Sequence, residues 1–399
     1  MAGNGFSVSG YGPQRGGMWT RLSSRDSVVR RLDWPLLLSA IALSFVGSLL
    51  VWSATRNREA LNHGDPYYFL FRHVLNTGIG LALMVGTIWL GHRTLRGAVP
   101  VLYGISVVLV LLVLTPVGAT INGAHAWIVL GGGFSIQPSE FVKITIILGM
   151  AMMLAARVDA GDLVHPDHRT VAKSLGLALV PMAIVMLMPD LGSVMVMAVI
   201  VLGVLLASGA SNRWILGLLG TGVIGAVAVA ALGVLDEYQI NRFAAFANPE
   251  LDPAGVGYNT NQARIAIGSG GLSGTGLFKG SQTTGQFVPE QQTDFVFTVA
   301  GEELGFLGAG LILLLLGVVL WRACRIARET TELYGTIVAA GIIAWFAFQS
   351  FENVGMTLGI MPVAGLPLPF VSYGGSSMFA VWVAVGLLQS IRVQRPITA

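Results

Sequence analysis

The chain has 399 residues, of which 54% are hydrophobic and 11% charged, with a formal net charge of +3 and one cysteine, Cys324. An ordinary soluble domain carries about 25% charged residues, so this composition and the recurrent apolar runs of spanning length exclude a large soluble domain. The lone cysteine excludes a disulfide scaffold, and no nucleic-acid partner is expected. The fold class is all-α: a polytopic membrane helix bundle.

Residues 1–33 are polar, glycine-rich and basic, with Arg15, Arg21, Arg25, Arg30 and Arg31, and read as a disordered cytoplasmic tail. The run from Trp34 to Trp52 is longer than a secretory h-region and lacks a small-residue cleavage site, so it should remain as a signal anchor. Hydropathy predicts about ten spans, at 35–53, 72–91, 97–116, 138–156, 171–188, 191–208, 214–234, 304–321, 335–359 and 371–391. The membrane domain is then 34–392, with a large external loop at 235–303 between helices seven and eight and a cytoplasmic tail at 393–399. This order places sixteen Lys/Arg on inside segments and six outside, namely Arg56, Arg58, Arg72, Arg242, Arg264 and Lys279. That bias obeys the positive-inside rule with both termini cytoplasmic.

Within 118–140, Gly131 to Gly133 interrupt an apolar stretch before Pro138 starts a helix, a pattern that suits a segment re-entering the bilayer. Glu140 and Lys143, three apart, share a helix face and can pair. Each charge at bilayer depth would cost roughly 2.5–3.5 kcal/mol, which favours the bundle interior. A structural ion pair and a site orienting a polar ligand both remain open. Asp190 follows Pro189 between two apolar runs and should cap the next helix.

The connection from about Leu235 to Glu303 is the longest and holds eight of the twenty acidic residues. A loop of that length is functional or disordered, and its aromatic and apolar content predicts partial order. Inside it, residues 266–285 carry Gly268, Gly270, Gly271, Gly274, Gly276, Gly280 and Gly285 beside Arg264 and Lys279. Backbone nests of this kind hold phosphates; simple turns are the alternative, since the Gly-Lys-Ser/Thr of a P-loop is absent. Asp294 has two readings. With Thr293 it caps the short apolar segment that follows, or it takes a proton from a hydroxyl while nearby cations hold a pyrophosphate leaving group. Glu352, beside Asn353 in an otherwise apolar helix, requires a polar partner on another helix.

Five stretches occur in order: "NGAHAWIVLGGGFSIQPSEFVKI", "PDLGS", "NTNQARIAIGSGGLSGTG", "FVPEQQTDFVFTVAGEELGFLG" and "PVAGLPLPFVSYGGSS". Together they resemble the SEDS family (shape, elongation, division and sporulation), bacterial polytopic peptidoglycan polymerases. Within it, "GMTLGIMPVAGLPLPFVSYGGSS" is more similar to the elongation branch, RodA, than to the division branch, FtsW; a sporulation paralogue is the further alternative. The resemblance implies a glycosyltransferase that polymerises lipid II on the outer face of the cytoplasmic membrane. Its implied partners are lipid II and the nascent glycan strand, membrane lipid and a class B penicillin-binding protein.

The family's catalytic Asp falls on Asp294, with Gln292 in place of the usual His two residues earlier. Its buried Glu and Lys fall on Glu140 and Lys143, and its cavity-lining motif falls on Ser372, Tyr373, Gly374, Gly375, Ser376 and Ser377. Because the donor sugar is α-linked and the glycan β-linked, the reaction would invert, so one base suffices. Asp294 would deprotonate the acceptor 4-hydroxyl, while Arg264, Lys279 or a divalent cation, Mg2+ or Mn2+, neutralises pyrophosphate. The competing readings are a lipid II flippase with a polar path through Glu140, Lys143 and Glu352, and a noncatalytic scaffold that activates a transpeptidase. Acids, glycines and the long loop gather on one face, which suits chemistry there better than alternating access.

Overall fold

The computed structural model describes residues 28–121, 124–131, 134–188, 190–231 and 256–395. The expected tail up to residue 27, the 232–255 part of the long connection with Arg242, the positions Gly132, Gly133 and Pro189, and the chain from 396 onward lie outside the described residues.

Every predicted span meets a helix. These are α1 (Trp34–Thr55), α2 (Tyr68–Leu90), α3 (His92–Val113), α4 (Pro138–Asp159), α5 (His168–Met186), α6 (Leu191–Ala207) and α7 (Asn212–Ala231), then α9 (Val296–Glu329), α10 (Leu333–Leu358) and α11 (Gly375–Val393). Between α7 and α9 the long connection forms α8 (Val256–Ser269). Eight of the ten are long and apolar enough to cross a membrane; α6 has 17 residues and α7 has 20. Local chemistry fixes several ends. Asp33 caps α1 by accepting from Leu36 N, Pro138 opens α4, and Gly359 closes α10 in the left-handed conformation at φ +74°.

The all-helical expectation needs one addition. Residues 118–136 form an antiparallel meander, β1 (Gly118–Ile121), β2 (Ala124–Gly131) and β3 (Phe134–Ile136), in that spatial order. The expected re-entrant segment is therefore a small sheet. Trp127, Ile128 and Val129 favour strand over helix, and Gly131, at φ +88°, ends β2.

The bundle is tightened where α2 and α11 run side by side. A Cβ at Gly80 would lie 2.5 Å from the Trp382 ring, and one at Gly386 would lie 2.8 Å from Thr87 Cβ, so glycine at both sites permits the close approach. Phe346, Phe370 and Trp382 stack edge to face at 5.4 and 5.7 Å in the interior. At the end of α9 remote from Asp294, the buried carboxylate of Asp33 accepts from Arg322 at 2.8 and 2.6 Å and pairs with Arg392 at 3.2 Å. Three helices, α1, α9 and α11, are thereby clasped through one compensated charge.

Candidate functional site

Asp294 sits half-buried on the turn before α9. Neither it nor Thr293 caps that helix, whose N-cap is Phe295 without a side-chain capping bond. The turn is held from outside instead. Asn353 on α10 donates through Nδ2 to the carbonyls of Asp294 and Leu366, each at 2.7 Å. Arg58, which is buried, donates to Val288 O at 2.9 Å and to the side chains of Gln291 and Gln292, each at 3.4 Å. Burial pulls the Arg58 guanidinium below its ordinary pKa and the nearby Glu290 opposes that shift; an arginine stays cationic regardless. Gln292 and Thr293 both donate to Glu290 Oε2 at 3.2 Å. On the carboxylate side, Gly365 is at φ +70° and a Cβ there would lie 3.4 Å from Asp294 Oδ2. Glycine takes that left-handed conformation without the strain a side chain would add.

Glu140 and Lys143 pair at 2.7 Å, and both are buried. Lys143 Nζ also donates to Gln349 Oε1 at 3.2 Å and lies 4.8 Å from the Trp345 ring centroid. That oxygen receives a second bond from Trp345 Nε1 at 2.7 Å, which leaves Gln349 Nε2 to donate to Pro367 O at 2.7 Å. Gln349 and Asn353 stand four apart on one face of α10. The ion pair is thus internal, and it reaches the Asp294 turn through α10 rather than by contact. Glu352 is buried on the same helix, next to Asn353.

The glycine-rich segment departs from the phosphate-nest expectation. Three of its donors are taken by one of the chain's own acids: the Glu302 carboxylate accepts from Gln282 N at 2.7 Å, Thr283 N at 2.9 Å and Thr283 Oγ1 at 2.7 Å. Thr275 N and Gly276 N bond the carbonyls of Glu302 and Glu303 at 3.0 Å. Glu303 Oε1 accepts from Ser53 at 2.6 Å, which ties the wider turn of Ala300–Leu304 to α1. The glycines serve this close packing. A Cβ at Gly274 would stand 2.1 Å from Glu303 O, at a φ of +80°. Arg264 and Lys279 are both exposed, Arg264 with its stem against Gly359.

The last motif divides. Ser372 Oγ accepts from Leu368 N and Ser376 Oγ from Gln137 N, both at 2.8 Å, so these hydroxyls fix backbone. Asp190 caps α6 through Ser193 N at 3.0 Å, as expected, and also accepts from Gln137 Nε2 at 3.2 Å. Tyr373 and Ser377 are only half-buried. Tyr373 N donates to Gln292 O at 2.8 Å, which brings this motif to the Asp294 turn. Burial pushes the Tyr373 hydroxyl up, and its bond with Arg72 works against that. Among the described residues no group of three or more His, Cys, Asp or Glu side chains is placed to hold a metal. Arg58, Gln349 and Asn353 were not legible as site residues, because Arg58 reads as a loop charge and the two amides sit inside an apolar helix.

The family model FtsW/RodA/SpoVE, described as cell cycle protein, matches residues 33–396. Stage V sporulation protein E of Bacillus subtilis (strain 168) is 38% identical over 363 residues, 90% of this chain and 96% of that protein. Peptidoglycan glycosyltransferase MrdB of Escherichia coli (strain K12) is 35% identical over 364 residues, 91% and 94% of the two chains. Among solved structures, the rod shape determining protein RodA of Thermus thermophilus aligns with a TM-score of 0.65 at 31% identity, covering 90% of this chain and 96% of that one. A chain from a peptidoglycan synthase complex, solved for its coordination of polymerization and crosslinking, aligns with a TM-score of 0.72 at 32% identity, covering 90% and 97%.

Proposed function

The chain belongs to the FtsW/RodA/SpoVE family, and from that premise we propose that it is a membrane-embedded peptidoglycan glycosyltransferase with Asp294 as its general base. The observation that carries the reading is the support of Asp294: its peptide carbonyl is fixed by buried Asn353 and its carboxylate faces Gly365. A base must be positioned before it is useful, since proton transfer needs hydrogen-bond reach of the reacting hydroxyl. In this reading the acceptor is lipid II, whose 4-hydroxyl gives its proton to Asp294 as it attacks the anomeric carbon of the growing polyprenyl-pyrophosphate-linked strand. The new glycosidic bond forms with inversion and the bond to pyrophosphate breaks, so polyprenyl pyrophosphate leaves with the electron pair. Arg264, Lys279 or a divalent cation would offset the charge that develops on pyrophosphate. Gln292 cannot titrate, so no proton relay runs through that position.

The polyprenyl tail explains why the catalyst is a helix bundle. The apolar chain stays in the bilayer while the head group reaches the end of the bundle that carries Asp294. The further parts of the proposal are an outward-facing site with both termini in the cytoplasm, a class B penicillin-binding protein as crosslinking partner, and a role in elongation and shape. The peptidoglycan synthase complex among the similar structures supports the partner. The branch rests on the 355–377 segment alone, since sporulation and rod-shape relatives match at similar identity.

The test is glycan synthesis from purified lipid II by the reconstituted protein with its cognate transpeptidase. Asp294→Asn at equal folded amounts is expected to lose about 10²–10⁴-fold in rate. Full activity in the variant removes Asp294 as the base. An inactive wild type that still moves lipid II across the bilayer supports the flippase, and one that only stimulates the transpeptidase supports the scaffold.

A further inference from the structure

His73 and Asn76 stand one turn apart on α2, 0% and 3% exposed. Among the described residues, neither ring nitrogen of His73 has a hydrogen-bond partner, and neither does Oδ1 of Asn76. Buried polar atoms are normally matched; of these three, Asn76 Oδ1 is an acceptor and a neutral imidazole carries one N–H, so the buried donor left unused here is the His73 ring.

Both side chains lie at the start of α11. The Asn76 amide is 3.6–3.8 Å from where a Cβ of Gly375 would be, and the His73 ring is 6.2 Å from that of Tyr373, centroid to centroid. The N-cap of α11 is Gly374, which has no side chain to cap it, and its first helical bond runs from Met378 N to Gly374 O. The N–H groups of Gly375, Ser376 and Ser377 therefore precede the helical ladder at the positive end of a 19-residue helix. At the rim, Arg72 bonds the Tyr373 hydroxyl and adds a guanidinium. Gly374, Gly375 and Ser377 are partly exposed and form the mouth. The helix N–H groups, the Asn76 Nδ2 that lies nearest Gly375, the one N–H of the His73 imidazole and the Arg72 guanidinium together make a donor set suited to an anion.

We propose that this pocket binds phosphate, and specifically the pyrophosphate of the polyprenyl-linked donor. The identity of the donor rests on the proposed function; the anion chemistry does not. Tyr373 N is strapped to Gln292 O, two residues before Asp294, so the pocket adjoins the turn that carries the base. In the 266–285 loop the Glu302 carboxylate already takes Gln282 N, Thr283 N and Thr283 Oγ1. Arg264 and Lys279 then lend positive charge around the site, while His73, Asn76 and the end of α11 hold the group.

The experiment is a binding titration on the purified full-length protein with undecaprenyl pyrophosphate and with undecaprenol, which has the same tail and no phosphate. Wild type is expected to prefer the pyrophosphate form by about tenfold or more. Gly375→Ala puts a methyl in front of Asn76 with nothing closer than 3.6 Å, so the fold tolerates it and the thermal midpoint stays put. This variant is expected to erase most of the preference, as are His73→Leu and Asn76→Leu, whereas His73→Gln restores a donor and part of the preference. Wild-type preference in folded Gly375→Ala and His73→Leu overturns the site. Equimolar inorganic pyrophosphate should leave the lipid bound; displacement would reassign the pocket to the free anion and overturn its lipid-linked part. Binding is read without turnover, so selective binding by a wild type that makes no glycan would sink the proposed function and spare the pocket.

Discussion

The glycines of residues 270–285 and those at 374–375 both bring backbone donors to the end of the bundle that carries Asp294, but they meet different acceptors. In the first segment the acceptor is part of the chain: Glu302 receives three bonds from Gln282 and Thr283, and the carbonyls of Glu302 and Glu303 receive two more. At the start of α11 the N-cap is Gly374, which has no side chain, and among the described residues buried His73 and Asn76 keep unmatched polar atoms beside it. On the proposal made above, a glycine-rich stretch holds a ligand where the chain does not itself supply the acceptor. The two segments should respond differently to the same kind of substitution.

The largest effect is expected at Gly274. Valine there combines a left-handed backbone with a Cβ 2.1 Å from Glu303 O, and should cost upward of about 4 kcal/mol, read as loss of the folded peak on size exclusion in detergent. A well-folded Gly274→Val would break the comparison. Glu302→Gln comes next. It removes the charge from an acceptor of three bonds and should lower stability by about 2–3 kcal/mol in a thermal melt; no change would mean that the loop holds itself. Smallest is Lys279→Gln, an exposed charge whose loss should shift stability by less than about 0.5 kcal/mol. It should change the donor KM by no more than roughly threefold, the scale of a screened surface interaction. A tenfold rise in KM would return the pyrophosphate to the glycine-rich loop.

The helices were legible because length and hydropathy decide them, and the Asp190 cap and the Pro138 helix start because their chemistry is local. Glu140 and Lys143 were legible from a spacing of three. The turn before α9 was not, because Asp294 is held by Asn353, fifty-nine positions away in sequence, and by Arg58, which hydropathy counts as a loop charge. The partner of the glycine-rich segment was hidden for the same reason: Glu302 stands nineteen residues beyond Thr283, and no periodicity links them. The 118–136 stretch misled because a glycine-broken apolar run has the same hydropathy whether it hairpins or re-enters a membrane.

The two donors on Gln349 Oε1 constrain how this sequence can drift. Since Trp345 alone can hold the amide in register, a change that removes both Glu140 and Lys143 together keeps Pro367 anchored, whereas losing either alone strands a buried charge. Gln349→Glu is barred from the other side, because a carboxylate would satisfy Lys143 and leave Pro367 O without its donor. Substitution at these positions is therefore expected in concert, along a path where single steps are less fit than either end.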